Sequence, residues 1–145
     1  MLTYRREKIA DIKEEILPLL EKHWREIALD QDTVKLEPDW ASYDMLDASG
    51  VLCLVTARHQ GELVGYVAYL IVPSLHYKSL RVAENDLYWL DPAWRKGMAG
   101  VNLFRAAEVV LADEGVNKIV NKVKLHNDVG SIFERMGYKP IERVY

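Results

Sequence analysis

Arg95, Lys96, Gly97 and Gly100 stand in "WLDPAWRKGMAGVNLF", residues 89–104, where a strand-like apolar run hands over to a helix-like one. A helix N-terminus leaves several backbone N–H groups unpaired and carries partial positive charge. A glycine-rich turn at that point lets an anion approach those groups closely. Two adjacent cations add mobile positive charge. The stretch therefore has the chemistry of a pyrophosphate cradle; the alternative is a turn that happens to be basic. It matches neither common nucleotide loop, since no Gly-Lys-Ser/Thr closes it and no Gly-x-Gly-x-x-Gly is present. One cysteine and four scattered histidines supply no paired metal spacing. No nucleophile elbow points to a Ser-His-Asp or Cys-His enzyme.

The elements that must position this turn can be read from periodicity. Residues 8–29 carry Ile9, Ile12, Ile16, Leu19, Leu20 and Ile27 at helical spacing, with Pro18 predicting a kink or two short helices. "LEPDWASYDMLDASG" reads as a loop with a short helical piece. "GVLCLVTARHQ" and "ELVGYVAYLIV" read as strands joined by a hairpin turn at "QGE", and Gly65 marks a bulge or a close approach. "LRVAENDLYWLD" is a third strand. A helix follows from Gly97 or Met98 to Glu114, with Val101, Phe104, Ala107 and Leu111 on one stripe. "VNKIVNKVKL" alternates as a strand, residues 128–136 form a last short helix capped by Asp128, and "YKPIERVY" is a final strand. Short loops make the first three strands antiparallel, and a helical crossover makes the third and fourth parallel. The expectation is an α/β chain with a mixed, mostly antiparallel sheet and helices packed on it.

The 145 residues are one domain's length, and half of them are apolar, so residues 1–145 are expected to form a single domain. The net charge of −3, with acids and bases interspersed, argues against a general nucleic-acid or membrane-surface binder. The N-terminus is too charged for a secretory signal. Cys53 lies in an apolar run and reads as a buried strand thiol, consistent with a reducing, cytoplasmic setting.

Residues 50–145 resemble the GNAT family of coenzyme A-dependent N-acetyltransferases. The family signature Arg/Gln-x-x-Gly-x-Gly/Ala is approached by "RKGMAG": Arg95 takes the first position and Gly100 the last, while Met98 stands where a glycine is usual and Gly97 sits one place earlier. "HNDVGSIFERMGY" resembles the second motif, Asn-x-x-Ala-x-x-Leu-Tyr-x-x-x-Gly-Phe, with His126 at Asn, Ile132 at Leu, Phe133 at Tyr, Gly137 at Gly and Tyr138 at Phe. The "HY" loop and "VK" strand are similar to small acetyltransferases encoded by tailed phages.

The resemblance implies helices on both faces of the sheet and a V-shaped splay between the two central strands, opening near Leu90. It implies acetyl-CoA as cosubstrate, no metal, and direct transfer of the acetyl group to a primary amine without a covalent intermediate. Backbone N–H groups of Arg95, Lys96, Gly97, Met98, Ala99 and Gly100 would hold the pyrophosphate. An N–H near Trp89 or Leu90 would polarise the thioester carbonyl.

The amine, with a pKa near ~10, needs a proton acceptor. Candidates are Asp86 and Glu84 on the strand, with Glu84, Asp86, Tyr88 and Leu90 placed on one side by alternation, and His76 in the loop "SLHYKS". Trp40 and Tyr43 could line the acceptor site. His126 could bond backbone or pantetheine. Phe133 lacks the hydroxyl that would protonate the leaving thiolate, which leaves water, His126, Tyr138 or another group, or a thiolate that departs unassisted. The acceptor would be a small molecule or a protein, and the last strand could pair with a second copy. The rival expectation is a non-catalytic coenzyme-binding or protein-interaction module.

Overall fold

The computed structural model describes residues 1–145. A strand that the sequence reading missed opens the chain: β1, Leu2–Glu7, pairs antiparallel with β2, Leu52–His59. Its three charged residues hid the alternation that turns Leu2 and Tyr4 toward the core. The following helix α1, Ile9–Ile27, is continuous, not split at Pro18. Ile9, Ile12, Ile16, Leu20 and His23 form an unbroken buried stripe, whereas Pro18 points to solvent. Proline in a helix interior costs about 3 kcal/mol; burying four large aliphatic side chains at about 1.5–3 kcal/mol each outweighs that cost.

After a short helix α2, Trp40–Ala48, the strands β2, β3 (Glu62–Pro73) and β4 (Arg81–Leu90) form the antiparallel centre. Gln60 and Gly61 turn the β2–β3 hairpin, both with positive φ. A 3-10 turn at Pro92–Trp94 leads into α3, Ala99–Asp113, which crosses to β5, Lys118–Val120, parallel to β4. The short helix α4, Gly130–Arg135, follows. Asp128 does not cap α4 in the expected way; its Oδ1 accepts the Gly130 N–H at 2.7 Å, one position outside the helix start.

The sheet order is β1-β2-β3-β4-β5. Helices α1 and α2 cover one face over Leu52, Leu54, Tyr66, Ala68 and Trp89. Helix α3, with Phe133 of α4, covers the other over Val55, Val67, Tyr69 and Ala83. The expected stripe Val101, Phe104, Ala107 and Leu111 is buried there. Cys53 is buried in that layer, and burial pushes its thiol up to about 12, so it is an inert core group. No helix is long and apolar enough to cross a membrane.

The expected final strand does not form. Residues 138–145 have no regular structure, so they supply no edge for pairing with a second copy. Pro140 lacks the backbone donor that a ladder needs at its position. Strand β5 is likewise shorter than its alternating sequence suggests.

One irregularity decides what faces the site. In the β3–β4 ladder Ala68 opposes Leu87 but Tyr69 opposes Asn85, so Asp86 is an extra, bulged residue. A bulge reverses the side-chain alternation beyond it. Ala83 therefore packs on the α3 side, and so do Tyr88 and Leu90, while Leu87 and Trp89 pack on the α1 side. Glu84, Asp86, Tyr88 and Leu90 do not share a face as simple alternation predicts.

Candidate active site

Strands β4 and β5 pair only from Val82 to Glu84. Just beyond, the Asn85 side chain spans the gap: its Nδ2 donates to Lys122 O at 3.0 Å and its Oδ1 accepts the Lys122 N–H at 2.7 Å. Past that amide the strands part, five residues earlier than the expected opening near Leu90. The gap is the inner end of a cleft of about 1090 Å³ that runs along β4 to the start of α3. Leu87, Tyr88, Trp89 and Leu90 line its length, and Gly97, Gly100, Val101 and Ile132 line its far end.

At that far end the N–H groups of Gly97, Met98, Gly100 and Val101 have no acceptor within the protein. Those of Arg95, Lys96 and Ala99 are already used, on Pro92 O, Trp94 O and Lys96 O. Gly97 has φ of +58°, a conformation that side chains resist. A Cβ on Gly100 would meet only the Ile132 side chain, at 3.9 Å, so the helix start is open on the side facing the cleft. The cradle expected across residues 95–100 is thus narrower in its donors: Gly97, Gly100 and, unforeseen, Val101 line the cleft with free N–H groups, and Met98 does not.

Arg95 does not supply mobile charge. Its Nη1 and Nη2 donate to the two carboxylate oxygens of Glu26 at 2.5 and 2.6 Å, and its Nε donates to Leu90 O at 2.6 Å. Its guanidinium lies 5.7 Å from the Trp89 ring centre, and Trp89 Nε1 donates to the same Glu26 at 2.7 Å. Arg95 therefore ties α1 to the end of β4. Lys96, Lys124 and Arg135 line the same cleft and bring cationic charge to it instead. Met98 is half exposed beside it without lining the cleft, and Ala99 O accepts the Tyr4 hydroxyl at 3.1 Å.

Within β4 the Asp91 N–H donates to Val64 O of β3. Alternation of the ladder then turns the Leu90 and Tyr88 N–H groups toward the cleft and commits Trp89 to β3. Gly65 makes this approach possible, because a Cβ there would lie 2.7 Å from Leu90 Cδ1 and 2.9 Å from Trp89 O.

The carboxylates separate clearly. Asp86, set out by the bulge, lines the cleft on the α1–α2 side and accepts the Tyr43 hydroxyl at 2.7 Å. Burial and then the Asp86 carboxylate push the Tyr43 phenol far above its usual range. Glu84 also reaches the cleft but is paired with Lys122 at 2.8 Å. His76 sits in the exposed loop between β3 and β4 and does not line the cleft. It packs edge-on against Tyr77, 6.5 Å between ring centres.

His126 lines the cleft, with its Nε2 2.9 Å from Ile27 O. Phe133 is buried in the core against Phe104, Tyr88 and Tyr138 and does not reach the cleft. Tyr138 is turned away, donating to Glu108 at 2.9 Å.

Tyr88 and His23 also line the cleft. Burial pushes the Tyr88 phenol up to about 12, so the hydroxyl remains a donor at neutral pH. His23 is 7% exposed and lies on the cleft wall. Its Nδ1 is 2.8 Å from the Tyr66 hydroxyl. Extending the α1 stripe by three residues from Leu20 would have found it.

The sequence matches the acetyltransferase (GNAT) family model over residues 13–138. A search of curated proteins finds no significant relative. Among solved structures, the ribosomal-protein-alanine N-acetyltransferase of Brucella melitensis biovar Abortus superposes with a TM-score of 0.74 at 18% identity, over 100% of this chain and 96% of that one. A predicted acetyltransferase from Clostridium acetobutylicum, solved with acetyl-CoA, gives 0.74 at 12% identity, over 100% and 94%. An aminoglycoside acetyltransferase from an uncultured soil metagenomic sample, in complex with sisomicin, gives 0.75 at 15% identity, over 99% and 94%. At these identities the superpositions establish the fold, and the family match establishes the lineage. The chain belongs to the GNAT family of acetyltransferases.

Proposed function

We propose that the protein transfers the acetyl group of acetyl-CoA directly to a primary amine. The observation that carries this is the continuity of one cleft from a cradle of free N–H groups, along the open edge of β4, to an acidic acceptor side at Asp86. The cradle suits the coenzyme's pyrophosphate, with Lys96, Lys124 and Arg135 offsetting its charge. The β4 edge suits the pantetheine amides, and the Leu90 or Tyr88 N–H suits the thioester oxygen, where negative charge grows during attack.

Of the three acids that line the cleft, Glu26 is paired with Arg95 and Glu84 with Lys122, which leaves Asp86, held by the Tyr43 hydroxyl of α2, as the carboxylate without a cationic partner. That free charge favours a cationic amine at one end, and the cradle a polyanionic coenzyme at the other. Asp86 attracts the ammonium and accepts its first proton, directly or through water. Attack forms the N–C bond, and the C–S pair departs on sulfur. The Tyr88 hydroxyl, rather than any group on α4, is the donor available to the leaving thiolate. Structural neighbours that are a ribosomal-protein-alanine N-acetyltransferase and an aminoglycoside acetyltransferase make both acceptor classes worth testing.

The test is thiol release from acetyl-CoA with a panel of primary amines, including sisomicin and an alanine-terminated peptide, with mass detection of the product. Acetylated amine with stoichiometric free thiol is the expected result. A chain that binds acetyl-CoA but acetylates nothing would favour the coenzyme-binding module.

A further inference from the structure

The side chains around Asp86 limit the amine it can hold. As the extra residue of the bulge, Asp86 stands on β4 between the rungs Ala68–Leu87 and Tyr69–Asn85. Ala68, Leu70 and Leu87 belong to the layer under α1 and α2, and so does Tyr43, whose hydroxyl holds the carboxylate at 2.7 Å. Ile71 packs on the opposite face, so alternation turns Val72 to the same side as Leu70. Leu70 opposes Glu84 and Val72 opposes Val82. A line of apolar side chains therefore leaves Asp86 in the direction away from the cradle, reaching Val72 after four residues of strand, about 13 Å. Leu70, Leu87 and Val72 all line the cleft; the first two are half-buried and Val72 is 43% exposed.

Charge along this line is sparse. Glu84 carries its own cation, Lys122, at 2.8 Å. Asp30, Asp32, Glu37 and Asp39, in the segment joining α1 to α2, are exposed and do not line the cleft, and Asp39 is committed to capping α2 through Ser42. One uncompensated negative charge thus faces the acceptor, at the head of an apolar floor. We propose that the acceptor is a monoamine with an apolar tail, an alkylamine or aralkylamine, whose ammonium pairs with Asp86 and whose hydrocarbon lies on Leu87, Leu70 and Val72. The proposal rests on the acetyl-transfer reading and adds to it the class of acceptor.

The reaction balances as one amine and one acetyl-CoA giving one N-substituted acetamide and one free coenzyme thiol. Specificity comes from the floor. A methylene moved from water into full apolar contact is worth roughly a threefold to fourfold gain in binding, and contact on one side gives a fraction of that. A polycation would hold its further ammonium groups over Leu70 and Val72, where they lose hydration and find no carboxylate. A very short alkylamine would pair with Asp86 and leave the floor in water.

The test compares kcat/KM for ethylamine, octylamine, the matching diamine with an amino group at each end of the same eight-carbon chain, and sisomicin, using the full chain at saturating acetyl-CoA. Octylamine should exceed ethylamine at least about tenfold. It should exceed the diamine by a similar factor, because the second ammonium of the diamine falls on Val72. Val72→Asp, at an accessible position, should bring the octylamine-to-diamine ratio to parity or reverse it, with acetyl-CoA affinity unchanged. A parent that takes ethylamine as well as octylamine, that prefers the diamine or sisomicin, or that acetylates only an alanine-terminated peptide overturns the proposal. So does a Val72→Asp chain of native melting temperature and coenzyme affinity that keeps the parental ratio; should that variant not fold, the parental ratios decide alone. Acetyl-CoA binding with no acetylated product from any of these amines or the peptide overturns the acetyl-transfer reading itself, and is distinguished because no ratio can then be measured.

Discussion

The Asn85 side chain completes, with Lys122, the rung that the backbones of β4 and β5 no longer make. It satisfies one donor and one acceptor at the point where a buried ladder opens into a cleft. Leaving such groups unpaired costs about 1–3 kcal/mol each. Asn85→Leu should therefore lower unfolding free energy by a few kcal/mol in urea titration, and it should weaken acetyl-CoA binding because the gap is no longer held at a fixed width. A variant with native coenzyme affinity and native stability would show that the fork is set elsewhere.

Gly100 makes a second prediction. The open space at its Cα lies against unpaired helix N–H groups, and a Cβ there touches only Ile132 at 3.9 Å. Gly100→Val should fold, since glycine is the poorer helix residue apart from proline. Its branched side chain should fill the cradle and weaken acetyl-CoA binding at least about tenfold, equivalent to about 1.4 kcal/mol. Calorimetric titration reads the affinity directly. The thermal shift given by saturating acetyl-CoA should shrink in parallel, because stabilisation follows ligand concentration over Kd.

The glycine-marked turn into α3 was legible because its features are local: a special φ and free amides are written into a few adjacent residues. The three consecutive antiparallel strands and the α3 stripe were legible for the same reason, as periods of two and of three to four. What failed was non-local. Arg95 looks like a free cation until α1 brings Glu26 against it from 69 positions away. The bulge at Asp86 leaves no mark in "AENDLYWL", yet it moves Tyr88 and Leu90 to the opposite face from the one alternation gives. Pro18 was weighed as a local breaker, whereas the buried stripe on the other side of α1 decided the helix.

Acid should destabilise the fold through Arg58. This arginine is 5% exposed and donates to Glu7 at 2.8 and 3.2 Å and to Glu15 at 2.7 and 3.0 Å. Burial alone would raise Glu7, but hydrogen bonds from Arg58, Thr56 and Arg5 outweigh it and hold its carboxyl at about 2. A folded-state value below the unfolded one contributes stability that is complete above about pH 4.5 and lost as pH falls toward 2. The contribution is roughly 3 kcal/mol. Glu7→Gln should be less stable at pH 7 and should show a flatter loss of melting temperature between pH 5 and pH 2. Parallel melting curves for parent and variant across that window would contradict the assignment.

The three proton acceptors suggested by the sequence now make different predictions. His76 is in an exposed loop off the cleft, so His76→Ala should leave kcat and both KM values unchanged. Glu84 spends its charge on Lys122 beside the fork, and Glu84→Gln should act chiefly through coenzyme affinity if it acts at all. Asp86 alone combines a cleft-facing carboxylate with a fixed orientation, supplied by the Tyr43 hydroxyl. Asp86→Asn should lower kcat/KM for the amine about 10²-fold or more, flatten its pH dependence, and leave the acetyl-CoA KM nearly intact. Tyr43→Phe keeps the charge and loses only its tether, so its loss should be smaller, about tenfold, and its pH profile should keep the parental shape. If the two variants lost activity equally and with the same profile, Asp86 would be acting as a partner that positions Tyr43, and the first proton would have to leave by another route.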